Sequence, residues 1–223
     1  MDAVSNPYAP GAGTPPPELA GRDNLRELVR VAVERVRRGM PAKSVILVGL
    51  RGVGKTVLLD RMREDAESGG SQTLHIEAPE GRSLPALIAP QLRILLLKLS
   101  RNEQAKKFAQ RALRALSGFA KSLKLKYQDI EVGVDLAPEA GLADNGDLEQ
   151  DLQALLEAVG TAAQKAGTAL SIFIDEMQYV AEEELAALIM ALHRCVQRKL
   201  PIALVGAGAT SITRSDGGRE ILR

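Results

Sequence analysis

The chain has 223 residues, 45% hydrophobic and 26% charged, which suits one sizeable globular α/β domain rather than a disordered or fibrous protein. A net charge of +1 gives no whole-chain pull toward nucleic acid or acidic membrane, and 3% aromatics with no Trp argue against a base-stacking platform. The single cysteine, Cys195, rules out an internal disulfide and fits a reducing cytoplasm. The N-terminus lacks a basic-then-apolar leader, and no run reaches the ~20 apolar residues of a membrane span.

Residues 1–17 hold five of the eleven prolines (Pro7, Pro10, Pro15, Pro16 and Pro17) and read as a flexible arm. Asp23 is a candidate N-cap for a helix over about 24–38, with Leu25, Leu28, Val29, Val33 and Val36 on one face. Gly39 ends it and Pro41 blocks its return. A strand is predicted over 44–49, a helix over 55–68 ending at Gly69-Gly70, and a strand from Gln72 to Glu77. Helices follow over about 83–100 and 101–119, the second opening on the capping-box spacing Ser100-Arg101-Asn102-Glu103. Leu123–Tyr127 and Ile130–Leu136 alternate like a hairpin. The turn Asp144-Asn145-Gly146-Asp147 leads into a helix over about 147–166, then come a strand over 169–175, a helix over 182–199 and a strand over 201–206. Strands alternating with helices predict an α/β fold in three layers, its mainly parallel central sheet covered on both faces.

The richest stretch is Gly49-Leu50-Arg51-Gly52-Val53-Gly54-Lys55-Thr56, a full match to GxxxxGK[ST] between a strand and a helix. Glycines let backbone N–H groups approach phosphates, because no Cβ stands in the way. The helix N-terminus, reaching to Val57, adds partial positive charge at the same point. Lys55 brings a full charge to the β- and γ-phosphates, and the Thr56 hydroxyl is placed to ligate Mg²⁺. The pattern calls for a nucleoside triphosphate with magnesium.

A second constellation lies about 120 residues downstream. Leu170 to Ile174 is an apolar run ending in Asp175 and Glu176. An Asp at the carboxyl end of a central strand emerges where open α/β sheets bind ligands, and there Asp175 is the candidate metal ligand. Glu176, next along, is the candidate base for an attacking water.

These two stretches resemble the paired phosphate-binding and acidic-strand motifs (Walker A and Walker B) of AAA+ and STAND-type ATPases. Glu18-Leu19-Ala20-Gly21-Arg22-Asp23 resembles the Gly-Arg-acidic signature of origin-recognition-like members, and the opening as a whole resembles a group of actinobacterial ATP-binding proteins of this type. The resemblance spans roughly residues 5–208. It implies ATP over GTP, with Leu19, Ala20, Gly21 and Arg22 against the base or ribose. Arg22 reads equally well as an ordinary surface arginine at a helix start. Glu77 falls where the family often places a polar residue near the catalytic Glu, but a plain strand-end acid explains it better.

The pattern also departs from the family. The strand over 201–206 runs into Ala207 and Gly208 rather than a polar residue that senses the γ-phosphate, and Thr210 and Ser211 come late. Residues 209–223 read as a polar tail, so the expected fold is a P-loop NTPase core over 18–208, with an insertion over about 80–146 and without a fifth strand or helical lid. The strand over 44–49 would then be an exposed apolar edge, as if the chain were truncated or altered at its C-terminus.

Charge is segregated in the middle of the chain. Lys107, Arg111 and Arg114 lie opposite the apolar face of the helix over 101–119, and the following thirty or so residues are acidic. A solvated face balanced by the acidic stretch explains this more simply than a nucleic-acid patch. His75 and His193 lack ligand-spaced companions, and Cys195 reads as a small buried hydrophobe. The expected function is a Mg²⁺-dependent ATPase module that binds ATP and ADP and acts on a protein partner, with oligomers possible and no membrane. Its rivals are a non-hydrolysing nucleotide-dependent switch or scaffold and a DNA-handling ATPase.

Overall fold

The computed structural model describes residues 21–123 and 137–209, together with the backbone of 220–222. The Pro-rich arm, Leu19, Ala20, the expected hairpin beyond Leu123, and Thr210 and Ser211 lie outside the described residues.

In chain order the elements are α1 (Asp23–Arg37), β1 (Val45–Val48), α2 (Lys55–Ser68), β2 (Gln72–Glu77), α3 (Leu84–Leu99), α4 (Lys106–Ser122), α5 (Leu148–Lys165), β3 (Leu170–Asp175), a single 3₁₀ turn (Met177–Tyr179), α6 (Glu182–Gln197), β4 (Ile202–Gly208) and β5 (Glu220–Leu222). Turn and cap chemistry explains several boundaries. Ser83 Oγ accepts the N–H of Ala86 (3.4 Å) at the start of α3, and Asp147 Oδ1 accepts that of Gln150 (2.9 Å) at the start of α5. The expected capping box at 100–103 does not form. Ser100 Oγ donates to Leu97 O (2.7 Å), and Asn102 Oδ1 accepts from Gln104 N (2.9 Å) and Ala105 N (3.3 Å). Asn102 thus closes a separate turn, and α4 starts only at Lys106.

The strands form one parallel sheet in the order β2-β3-β4-β1-β5. Side chains alternate across it. Val45, Leu47, Phe173 and Val205 meet Val29, Val33, Leu58, Leu59 and Met62 from α1 and α2. Ile46, Leu74, Ile76, Ile172, Ile174 and Leu204 meet α3, α5 and α6 on the other face. Each fully buried Leu or Ile contributes roughly 1.5–3 kcal/mol, so both faces of the sheet are committed to burial. The segment read as an insertion shares this core: Leu92 and Leu96 of α3 and Phe119 of α4 are completely buried in it.

The expected absence of a fifth strand is corrected. β5 pairs in parallel with β1, with Glu220 opposite Val45, Ile221 opposite Ile46 and Leu222 opposite Leu47. β1 is therefore an interior strand, not an exposed edge. The polar run over 213–220 hid the signal: three residues are enough for a short parallel pairing, and only Ile221 and Leu222 are apolar there. Among the described residues no helix is long and apolar enough to cross a membrane.

Candidate functional site

Sheet register brings distant residues to one edge. Ile46 of β1 and Ile174 of β3 both stand opposite Gly206 of β4, so the carboxyl ends of β1 and β3 rise together. With β4 between them they are two strand spacings apart, about 10 Å. The loop after β1 and the acids after β3 therefore share one rim.

The loop over 49–54 is fixed by its own backbone. Gly49 N–H donates to Gly208 O (3.4 Å), holding the start of the loop to β4. Gly52 and Gly54 both adopt φ near +80°, a left-handed conformation that a side chain would strain. Gly54 is also the N-cap of α2 and offers no side chain to cap it. The first α2 N–H with a backbone acceptor is that of Leu58, bonded to Gly54 O (3.1 Å), and those of Lys55, Thr56 and Val57 have no acceptor among the described residues, at the positive end of the helix dipole. α3 and α5 spend a side chain on this position, whereas α2 leaves it open to an anion.

Lys55 lies across the loop, its Nζ donating to Gly49 O (3.0 Å) and Leu50 O (2.7 Å). Leu50 and Val53 point outward, 71% and 41% exposed, and Thr56 is exposed at the helix start. The Arg22 guanidinium donates to Val53 O, so the Gly21-Arg22 segment comes up against the loop tip. Arg51 Nη2 donates to Tyr179 OH (3.4 Å), linking the loop to the turn after β3.

Asp175 ends β3 with 3% exposure. Its Oδ1 accepts the N–H of Glu176 (2.8 Å), while Oδ2 carries no hydrogen bond among the described residues. Glu176 sits at φ 53° and ψ 39°, left-handed for a residue with a Cβ. Such a conformation costs about 1–2 kcal/mol and reverses the chain into the 3₁₀ turn. That turn folds over β4: Met177 is buried against Gly206, where a Cβ would come within 2.0 Å of Met177 Sδ. Gln178 then reaches both ways. Its Nε2 donates to Glu176 Oε2, and its Oε1 accepts the N–H of Ala209 (3.0 Å). Gln178 and Tyr179 escape sequence reasoning, because neither spacing nor periodicity marks them. The one trace is a glycine, Gly206, in an otherwise aliphatic strand.

Glu77 is in register with Asp175 but exposed at the end of β2. His75 Nδ1 lies 3.9 Å from Asp60, and His193 is exposed. Among the described residues no group of three His, Cys, Asp or Glu could hold a metal, so Thr56 and Asp175 fit an ion only if phosphate oxygens complete its shell. On α4, Arg111 pairs with Glu139 (3.3 Å) and Lys106 with Glu103 (3.5 Å), so part of the basic face is balanced within the chain.

A parallel sheet in this order, a glycine loop entering an uncapped helix, and a buried acid on the same rim together define the P-loop NTPase class. The family model described as the AAA ATPase domain matches residues 18–205, and the chain belongs to that family. Among solved structures it is similar to the Aeropyrum pernix Orc1 protein in complex with DNA, at 15% identity and TM-score 0.45, over 87% of this chain and 40% of that one. It is also similar to C. elegans PCH-2, at 11% identity and TM-score 0.39, over 87% of this chain and 39% of that one. The chain thus spans about two fifths of each. No curated protein matches the sequence.

Proposed function

We propose that the chain binds ATP with Mg²⁺, hydrolyses it, and couples its nucleotide state to a macromolecular partner. The observation that carries this reading is the pair of left-handed glycines before an uncapped α2, with the Lys55 ammonium already inside the loop. The free N–H groups of residues 55–57 would bind phosphate oxygens, and Lys55 would exchange two carbonyls for a doubly charged partner. Thr56 and Asp175 would hold the Mg²⁺, which neutralises phosphate charge when bound. Glu176 would take a proton from the attacking water once its carboxylate leaves Gln178. Arg22 and Gly21, with Leu19 and Ala20, would border the base.

Titration of the full chain with a fluorescent ATP analogue tests the reading. Lys55→Ala is expected to weaken binding by at least about tenfold, the loss of one charge-assisted contact. Unchanged affinity would remove the reading.

One observation favours a second reading, a switch that binds nucleotide without turnover: the Glu176 carboxylate is engaged by Gln178. Phosphate release by wild type and by Glu176→Gln separates the two. Equal rates near zero support the switch, and a wild-type rate well above the variant supports the ATPase.

A further inference from the structure

β2 is an outer strand of the sheet. Gln72 N–H donates to Ala169 O (2.8 Å) and Ala78 N–H to Asp175 O (3.2 Å), with unbroken register between them. A parallel ladder uses alternate residues, so Gln72, Leu74 and Ile76 turn their backbone groups toward β3. Thr73, His75 and Glu77 turn theirs outward. At His75 the outward groups are closed by one side chain: Gln91 Oε1 accepts its N–H (3.0 Å), and Gln91 Nε2 donates to its carbonyl (2.5 Å). Thr73 has no such cover, and its N–H and C=O carry no hydrogen bond among the described residues.

Beside Thr73 lies a groove of about 490 Å³ between β2, the end of α2 and α3. Its wall carries Ile94, 68% exposed, next to Leu95. Ser71 Oγ is buried at the groove without a hydrogen-bond partner among the described residues. Glu67 is already engaged by Arg63 (2.8 Å) and by Thr73 Oγ1 (2.5 Å). Lys98, on the same rim, is exposed and has no ion-pair partner among the described residues. An open donor–acceptor pair on a strand edge matches an extended backbone, the apolar wall matches one aliphatic side chain, and Lys98, which acts on Glu67 at a distance without an ion-pair contact to it, leaves its ammonium hydrogens to an incoming carboxylate.

We propose that this groove receives an extended acidic peptide segment of a partner protein, added to the edge of β2 at Thr73 with an acidic side chain on Lys98. Gln91 limits the added strand to a short one by occupying the next outward pair. The proposal uses none of the loop's residues, so failure of ATP binding leaves it standing.

The test uses the full chain and a labelled, end-blocked octapeptide alternating valine with glutamate, alongside its valine–lysine counterpart. Fluorescence anisotropy is expected to show saturable binding of the glutamate peptide, at least about tenfold tighter than the lysine one, the size of one charge-pair discrimination. Hydrogen exchange at the Thr73 amide is expected to slow when that peptide is added. Thr73→Pro removes an outward N–H and leaves the β3 ladder intact, so it is expected to abolish binding while keeping the far-UV spectrum. Lys98→Glu, on the solvent side, is expected to reverse the peptide preference and keeps the test valid should the proline variant fail to fold. Four results would overturn the proposal: no saturation of either peptide, undiminished binding by a folded Thr73→Pro, a Thr73 amide already protected without peptide, or a concentration-dependent dimer that Thr73→Pro dissolves.

Discussion

Gln178 holds the Glu176 carboxylate through its amide nitrogen, and its amide oxygen accepts the N–H of Ala209 at the end of β4. In the ATPase reading, the candidate base is thereby tied to the end of the strand whose expected γ-phosphate sensor is replaced by Ala207 and Gly208. Releasing Glu176 breaks a hydrogen bond to a charged group, worth about 1.5 kcal/mol, which is about tenfold in rate. Gln178→Ala is therefore expected to raise basal phosphate release by up to about tenfold with little change in KM. A fall in kcat matching that of Glu176→Gln would instead make Gln178 the group that orients Glu176 for chemistry.

Gly206 exists for Met177. A methyl at position 206 meets Met177 Sδ at 2.0 Å and Cε at 3.3 Å, so the turn carrying Glu176 and Gln178 must lift off β4. Gly206→Ala is expected to cost about 1–3 kcal/mol, the usual penalty for overpacking, read as a lower urea midpoint. Met177→Ala leaves a cavity on its own but makes room for the new methyl. The double variant should recover part of the loss, and strictly additive losses would show that the contact is not the constraint.

Legibility followed burial and periodicity. β3 announces itself because all six of its residues are buried, which demands an apolar run, and its terminal acids then stand out. The 49–56 loop is legible because φ near +80° at two positions demands glycine and the chemistry demands Lys-Thr. β5 was hidden because a three-residue strand in polar surroundings has no period to read. Gln178 was hidden for a different reason: its role depends on a turn folding back over β4, a tertiary contact without local spacing. At 100–103 the capping-box spacing was present, but Ser100 bonds back to Leu97 and Asn102 takes the turn, so local competition won.

Asp151 ties the end of α4 to the turn that leads into α5. It is fully buried, and its carboxylate accepts from Ser122 Oγ (3.0 Å), Asn145 N (3.0 Å) and Gly146 N (2.9 Å). Residues 142–144 pass so close to α4 that a Cβ on Gly118 would lie 2.9 Å from Leu142 O. Asp151→Ala strands the two backbone donors, the Ser122 hydroxyl having Phe119 O (3.1 Å) as another acceptor, and is expected to cost about 2–3 kcal/mol by denaturant unfolding, while Asp151→Asn retains one acceptor oxygen and should cost less. Equal losses for the two variants would point to packing rather than hydrogen bonding as the source.

Cys195 supplies a pH dependence of known sign. The thiol is completely buried in α6, and burial pushes its pKa up to about 12, with the nearby Glu157 carboxylate adding to the rise and Arg198 opposing it. An unfolded thiol ionises near pH ~8.5. Below that value both states hold the proton, and the full contribution to stability is present. Between ~8.5 and about 12 only the unfolded chain ionises, so this contribution falls as pH rises, by about 2 kcal/mol at pH ~10 relative to neutrality. Other groups titrate in the same range, so the measurement is the difference between wild type and Cys195→Ala in urea midpoints across that interval. The variant should start lower, by about 1 kcal/mol for the lost packing, and because it has no thiol to ionise the gap should close near pH ~9 and reverse to about 1 kcal/mol in its favour at pH ~10. A gap that stays constant to pH ~10 would mean the native thiol ionises as easily as the unfolded one. The same burial predicts that an aromatic disulfide reagent at pH ~8 leaves the folded protein unmodified and reacts on addition of denaturant.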